Sequence, residues 1–280
     1  MEIKITTLAE NTAELGFLAE WGLSMLVEAD GVKVLFDTGA GVAVVHNAQL
    51  LDIDLGTIDH IVLSHGHRDH TGGLREVLTR MNKEVEIIAH PNIWAPKYTR
   101  WKKKRDAYSG VPFRRELLES LGAHFNLTEK PVHITKNFMT TGEIPMISDY
   151  EVIDSGLYDK ETGEMLPDEL KDDLAMVIDT EFGLVAILGC GHHGIINTLK
   201  QAQKVAGKKE IYAAIGGTHL LNADIGRCAQ TAGDLKEMGV QYLGVSHCTG
   251  FEASAYLAQE FGDRFFLNNS GCQWTLPFKK

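Results

Sequence analysis

The segment Ser64-His65-Gly66-His67-Arg68-Asp69-His70-Thr71-Gly72-Gly73-Leu74 follows directly on the apolar run Ile61-Val62-Leu63. Three imidazoles and a carboxylate lie within the six residues His65 to His70, where a buried strand should give way to a helix. Histidine and aspartate are ligands suited to zinc, iron or manganese. An extended chain places His65 and His67 on one face, so both can reach a single ion. Once the chain turns, Asp69 and His70 can reach a second position a few ångströms away. A polar strand end would need no aspartate among its histidines, so the pattern predicts a metal site.

Three later segments repeat one design, an apolar strand that ends in histidine among small residues. They are Leu188-Gly189-Cys190-Gly191-His192-His193-Gly194, Ile215-Gly216-Gly217-Thr218-His219-Leu220 and Val245-Ser246-His247-Cys248-Thr249-Gly250. Glycine at a strand end lets the backbone approach a metal or ligand closely. His192 and His247 are therefore expected as ligands, and His219 as a ligand or a substrate contact. Cys190 admits two readings. Its thiolate could coordinate, since metal binding deprotonates a thiol, or it could be a packed apolar cysteine.

The elements that must position these residues follow from periodicity. Ile3-Lys4-Ile5-Thr6 reads as a strand, and Leu74, Val77, Leu78 and Met81 recur at helical spacing. Val85–Ala89 reads as a strand ending in His90-Pro91. Residues 92–150 are less regular. A hairpin is expected from Ala175–Ile178 through a turn at Thr180–Gly183 to Leu184–Leu188. Helix 195–205, strand 211–215, helix 225–238 and strand 242–245 follow. Strands first, then helix–strand alternation, predict two sheets sandwiched between helices. No Pro/Ser/Gly-rich linker divides the chain, so residues 1–280 are expected to form one domain.

At 280 residues and 44% apolar composition, the chain can bury a substantial core. A net charge of −11 argues against a general nucleic-acid binder. No apolar run approaches the ~20 residues that span a bilayer, and the N-terminus lacks the pattern of a signal peptide. The four cysteines form no Cys-x-x-Cys pair, which favours a reduced, cytoplasmic setting.

His-x-His-x-Asp-His followed by Thr-Gly-Gly-Leu resembles the signature of the metallo-β-lactamase superfamily. Leu26-Val27-Glu28, Asp30-Gly31 and Val34-Leu35-Phe36-Asp37-Thr38-Gly39 resemble its early strand pair. The resemblance implies an α/β fold, an αββα sandwich, holding one or two divalent ions. Zinc is the first choice, with iron, manganese or magnesium as alternatives. It implies that Asp37 braces the cluster from behind the ligands. In that superfamily the strand matching 184–188 usually ends in Gly-Asp, whose carboxylate bridges two metals; here the pair is Gly189-Cys190. The usual Pro-Gly-His motif between residues 71 and 189 is also missing, and His192 is the best substitute. Gly-Cys-x-His-x-Gly-Ile, Gly-Gly-x-His-Leu and His-Cys-Thr-Gly, with Thr141-Gly142-Glu143-Ile144-Pro145 and Ala89-His90-Pro91, resemble the dihydropterin-synthase-like branch. That branch is named for an enzyme joining a dihydropterin-methyl pyrophosphate to a ribofuranosyl-aminobenzene phosphate.

From Lys97 to Arg115, eight cations (Lys97, Arg100, Lys102, Lys103, Lys104, Arg105, Arg114 and Arg115) face the single acid Asp106, a net of about +7. Trp94, Tyr98, Trp101, Tyr108 and Phe113 are interleaved. An insertion around 94–130 could be a solvated face or could hold an anionic substrate with a ring system. Lys102, Lys103, Lys104 and Arg105, with His90 and His219, are the candidate substrate contacts. Three functions are consistent with these residues. The first is a metal-dependent hydrolase of an ester, lactone or phosphate-containing small molecule. In it His65, His67 and His192 hold one ion and Asp69, His70 and His247 the other, and Asp69 orients the water or accepts its proton. The second is a transferase like the namesake of the branch. The third is a metal- or ligand-binding protein in which Cys190 has ended catalysis. The expected partner is a small, anionic molecule, not nucleic acid or membrane, and assembly into a homo-oligomer is left open.

Overall fold

Alternation along the early strands builds the first sheet. β2 (Ser24–Ala29) runs antiparallel to both of its neighbours, β1 (Ile3–Ala9) and β3 (Val32–Phe36). Helix α1 (Ala43–Leu50) carries the chain over to β4 (His60–Val62), which lies parallel to β3. A single helical turn, α2 (Arg68–Thr71), precedes helix α3 (Leu74–Met81) and β5 (Val85–Ala89). Asn82 ends α3 in the left-handed conformation that asparagine tolerates. β6 (Lys97–Trp101) and β7 (Arg105–Tyr108) then form a hairpin, and α4 (Arg115–Ser120) returns the chain to β8 (Ala123–Leu127). The computed structural model describes residues 1–101, 105–160 and 163–278.

The second half contributes β9 (Phe138–Thr140), β10 (Leu157–Asp159) and β11 (Leu166–Pro167), then the hairpin β12 (Ala175–Thr180) and β13 (Gly183–Leu188). Helix α5 (Ile195–Ala206), β14 (Ile211–Gly216), helix α6 (Ile225–Glu237) and β15 (Tyr242–Val245) alternate after it. Helix α7 (Phe251–Phe261), β16 (Phe265–Leu267) and β17 (Gln273–Leu276) complete the fold. One sheet has the order β17-β1-β2-β3-β4-β5-β8 and the other β16-β15-β14-β13-β12-β9, while β11-β10-β6-β7 form a small separate sheet.

Successive side chains of a strand point to opposite faces. Met25, Val27, Val34 and Phe36 accordingly meet Met176, Ile178, Val185, Ile187 and Ile215 between the two sheets. Leu26 and Leu35, one residue out of phase, pack outward beneath Leu74, Val77 and Leu78 of α3. Ala186 and Leu188 do the same beneath Ile195, Leu199, Leu235 and Leu257 of α5, α6 and α7. The result is the expected αββα sandwich. Truncating one of its central Leu or Ile residues to Ala should cost about 2–5 kcal/mol.

The helices and strands read from periodicity all form, with ends shifted by a residue or a few. The stretch around 94–130 is of two kinds. Its β6–β7 hairpin stands apart as an arm, whereas β8 is a parallel edge strand of the large sheet. The arm also departs from a uniformly basic surface. Lys97 is fully buried between Asp168 and Asp172, its Nζ 2.9 Å from each carboxylate. Arg100 pairs with Asp106 at 2.6 Å and lies over the Tyr158 ring. Arg105 is exposed, and Lys102, Lys103 and Lys104 lie outside the described residues.

Candidate metal centre

Every residue of the site sits just past the C-terminal end of a strand, at one edge of the sandwich. Asp37 follows β3, His65 to His70 follow β4, and Cys190 and His192 follow β13. His219 follows β14 and His247 follows β15. Because β3 and β4 are parallel, and β13, β14 and β15 are too, their loops open on the same side. Three of these residues take backbone conformations rare for side-chain-bearing residues: φ is 59° at Asp37, 51° at His219 and 56° at His247. Such strain persists only where surrounding contacts enforce it, and it clusters at functional sites.

The ligand atoms form two groups. In the first, His65 Nε2 is 2.9 Å from His67 Nδ1 and 3.2 Å from His192 Nε2. In the second, His70 Nε2 is 3.2 Å from His247 Nε2, and Asp69 Oδ2 is 3.4 Å from the same His247 nitrogen. Cys190 Sγ stands between them, 3.2 Å from His70 Nε2 and within 4.8 Å of the ligand nitrogens of His65, His192 and His247. His65, His70 and Cys190 are buried, and Asp69 is partly open to solvent.

Fixed partners behind the ring nitrogens set which of them face inward. Ser64 N–H donates to Asp37 Oδ1 and Ser64 Oγ to Asp37 Oδ2, each at 2.7 Å. The hydroxyl, its proton committed, accepts from His65 Nδ1 at 2.9 Å, which leaves a lone pair on His65 Nε2. Asp37 Oδ2 also accepts from His70 Nδ1 at 2.7 Å, and Asn11 Oδ1 accepts from His247 Nδ1 at 2.9 Å. Glu10 takes the His247 backbone N–H at 2.6 Å and so holds its left-handed turn. In the first group His65 Nε2 therefore presents its lone pair toward His67 Nδ1 and His192 Nε2. His67 Nε2 and His192 Nδ1, on the far sides of their rings, have no hydrogen-bond partner among the described residues. Imidazoles, a carboxylate and a thiol brought together in this way fit a divalent cation with borderline-soft preferences.

Charge separates the groups further. Burial pushes His65 and His192 well below the usual histidine range and His67 down to about 4, favouring neutral rings. Burial opposes charge on His70 as well, but Asp37 overcomes it and lifts this ring to about 9. Asp69 resists the upward push of burial through His247 and His70 and stays well below the carboxylate range. Burial raises the Cys190 thiol.

Residues 22–202 match the family model described as the metallo-beta-lactamase superfamily. The chain belongs to that superfamily. A full-length relative is 38% identical over 282 residues, spanning 96% of this chain and 95% of its own. It is the 7,8-dihydropterin-6-methyl-4-(beta-D-ribofuranosyl)-aminobenzene-5'-phosphate synthase of Methanocaldococcus jannaschii. An uncharacterized protein of the same organism is 31% identical, covering 91% of this chain and 94% of that one. Among solved structures, a metal-dependent hydrolase of the beta-lactamase superfamily superposes with a TM-score of 0.85 and 27% identity, covering 97% of this chain and 98% of that one. The branch suggested by the later glycine–histidine segments is therefore represented by a relative matching from end to end.

Two anticipated contacts stand apart from both ligand groups of this metallo-β-lactamase fold. The His219 ring packs on His192 at 4.1 Å, and its Nδ1 lies 3.6 Å from Asp154 Oδ2. His90, Glu129 and Glu143 can bring one ligand atom each within 4.8 Å. However, His90 Nδ1 accepts from Asn92 N–H at 3.0 Å, so Nε2 carries the proton and donates to Glu143 at 2.9 Å. The nitrogen facing the carboxylates is a donor there, not a ligand. Sequence reading missed Ser64, Asn11 and Glu10. Ser64 adjoins the motif and could have been noticed. Asn11 lies 236 residues from His247, with no local signal linking them.

Proposed function

We propose that the protein is a metal-dependent enzyme acting on a small anionic molecule, and that hydrolysis is its reaction. The carrying observation is the pair of ligand groups that meet at Cys190, with ring orientations fixed by Asp37, Ser64 and Asn11. His65, His67 and His192 would hold one divalent ion, and Asp69, His70 and His247 a second, with Cys190 shared between them. A bound ion supplies Lewis acidity and lowers the pKa of water toward neutrality. Asp69, ionised and partly open to solvent, orients the attacking water; so weak a base contributes more by alignment than by taking the proton. The strained turns at Asp37 and His247 keep these groups from rearranging when substrate arrives.

Group transfer is the second reading, favoured by the end-to-end similarity to the synthase. The same centre would then assist departure of an anionic leaving group while a second substrate takes the place of water. Both readings are tested on metal-loaded protein with a phosphodiester, a lactone, and a dihydropterin-methyl pyrophosphate with and without a ribofuranosyl-aminobenzene phosphate. Turnover of the first two supports hydrolysis. Pyrophosphate release that requires the acceptor supports transfer. Stoichiometric metal with no turnover of any of them would overturn an enzymatic role on these substrates.

A further inference from the structure

Lys97 belongs to the basic run between residues 97 and 115, yet it is fully buried and its partners point at the metal loop. Its ammonium bridges Asp168 Oδ2 and Asp172 Oδ1, 2.9 Å each. The other oxygen of Asp172 accepts the Gly66 N–H at 2.7 Å. Gly66 is the residue between His65 and His67. A Cβ there would come within 2.4 Å of the Ile93 carbonyl oxygen and 3.2 Å of Asp172, so the backbone is seated directly against this carboxylate. On the other side of His67, Arg68 N–H donates to the Ser109 carbonyl at 2.7 Å, and Ser109 N–H donates to the Lys97 carbonyl at 2.9 Å. Asp172, held by Lys97 at the base of the β6–β7 arm, and Ser109, just past that arm, thus grip the chain immediately before and immediately after His67.

We infer that Lys97 and Asp172 are positioning residues for the metal centre: they clamp the His65–His67 loop so that both rings face His192. The inference rests on the metal reading of the site. A buried carboxylate left alone would carry a large desolvation penalty, and the ammonium supplies its counter-charge. Asp168 shares that ammonium and, through its other oxygen, accepts Leu170 N–H at 2.8 Å, which fixes the loop that delivers Asp172. Each oxygen of Asp172 faces a donor, one the Gly66 amide and the other the Lys97 ammonium. Replacing the carboxylate by an amide turns one of these contacts into donor against donor, although the side chain keeps its shape.

The test is Asp172→Asn, with Lys97→Arg as the conservative counterpart that keeps the charge. Cobalt(II) is titrated into metal-free wild type and both variants, following affinity and the visible spectrum of the bound ion; melting of the metal-free proteins is measured alongside. Partners behind the ligands typically change metal affinity 10- to 100-fold. Asp172→Asn is expected to weaken cobalt binding by about tenfold or more and to alter the spectrum. Lys97→Arg, which keeps the charge, should retain most of the wild-type affinity and spectrum. Wild-type affinity and spectrum in Asp172→Asn, with only a lower melting temperature, would overturn the inference and reduce the triad to a fold-stabilising role. Failure of the wild type itself to bind cobalt would instead strike the metal reading.

Discussion

The group of His65, His67 and His192 and the group of Asp69, His70 and His247 meet at one thiol, yet they hold protons in opposite ways. Burial leads in the first, with repulsion from Lys97 and, for His65 and His192, from neighbouring rings adding to it, so its three rings are pushed toward the neutral form. An acid pair governs the second: Asp37 favours the His70 imidazolium, and Asp69 stays ionised beside it. The first group is ready to coordinate as it stands. The second must surrender a proton before His70 Nε2 can act as a ligand. Two positions built from nearly the same residue types should therefore load with different pH dependence, because the contacts behind the rings differ.

Removing a ligand from either group is the harshest way to examine that contrast. His65→Ala, His67→Ala or Asp69→Ala should eliminate most bound metal and lower activity by on the order of a thousandfold or more, since the ion supplies several kcal/mol. The metal-free fold should survive, because a catalytic site adds less folding energy than a structural zinc site does. Full metal stoichiometry in all three variants would remove the assignment. Loss should be uneven if the groups are separable: a first-group change should spare part of the second-group metal, seen as a residual content below one ion per chain by elemental analysis.

Asp37→Asn comes next. Asparagine tolerates the left-handed backbone at this position, so the change acts mainly through hydrogen bonding. It removes the charge that favours the His70 imidazolium and disturbs the Ser64 bridge to His65. Metal affinity should fall about 10- to 100-fold. Titration by competition with a chromogenic chelator would read this, and an unchanged affinity would show that Asp37 does not orient the rings.

The shared thiol gives a smaller and more selective effect. If Cys190 coordinates, Cys190→Ser should weaken binding roughly tenfold, and metal should protect the wild-type thiol from alkylation. Proton release sharpens the test. His70, with its folded value raised to about 9, stabilises the metal-free fold in its charged form below the unfolded histidine value, and that contribution is lost as pH rises through about 9. Zinc loading near pH 7.5 should then release about two protons, one from His70 and one from Cys190, with none from the neutral first-group rings. Cys190→Ser should lower the count by about one, and raising the pH past 9 should remove the His70 share. An identical count in wild type and variant would mark Cys190 as packing only.

Most of the fold, and the roles proposed at the strand ends, could be read from local pattern. Met25, Val27, Val34 and Phe36 alternate with Leu26 and Leu35, and the two sets are buried on opposite faces of the first sheet, so the strands show in the sequence itself. His65, His67, Asp69 and His70 were legible because their spacing is local. Asn11 was not, since its meeting with His247 depends on strands far apart in the chain. Lys97 misled for the same reason. Its cationic neighbours Arg100 and Arg105 are exposed, while the two aspartates that bury it lie 71 and 75 residues away. Composition describes what a segment resembles; distant partners decide which of its members stay at the surface.

The smallest expected effect belongs to the arm. With Lys97 buried, and Arg100 engaged by Asp106 and Tyr158, Arg105 is the exposed cation of the arm among the described residues, and Lys102, Lys103 and Lys104 lie outside them. Exposed charges act weakly and are screened over ~8–10 Å at ordinary ionic strength. Neutralising Lys102, Lys103, Lys104 and Arg105 together should raise KM for an anionic substrate several-fold at low salt and leave a neutral substrate unaffected. The difference should shrink as salt is added, with kcat unchanged, because these groups lie outside the ligand set. Lys97→Met should behave otherwise, lowering metal content and kcat whatever the charge of the substrate. A salt-independent KM in the quadruple variant would remove these four cations from substrate binding, and only the buried base of the arm would remain tied to the chemistry.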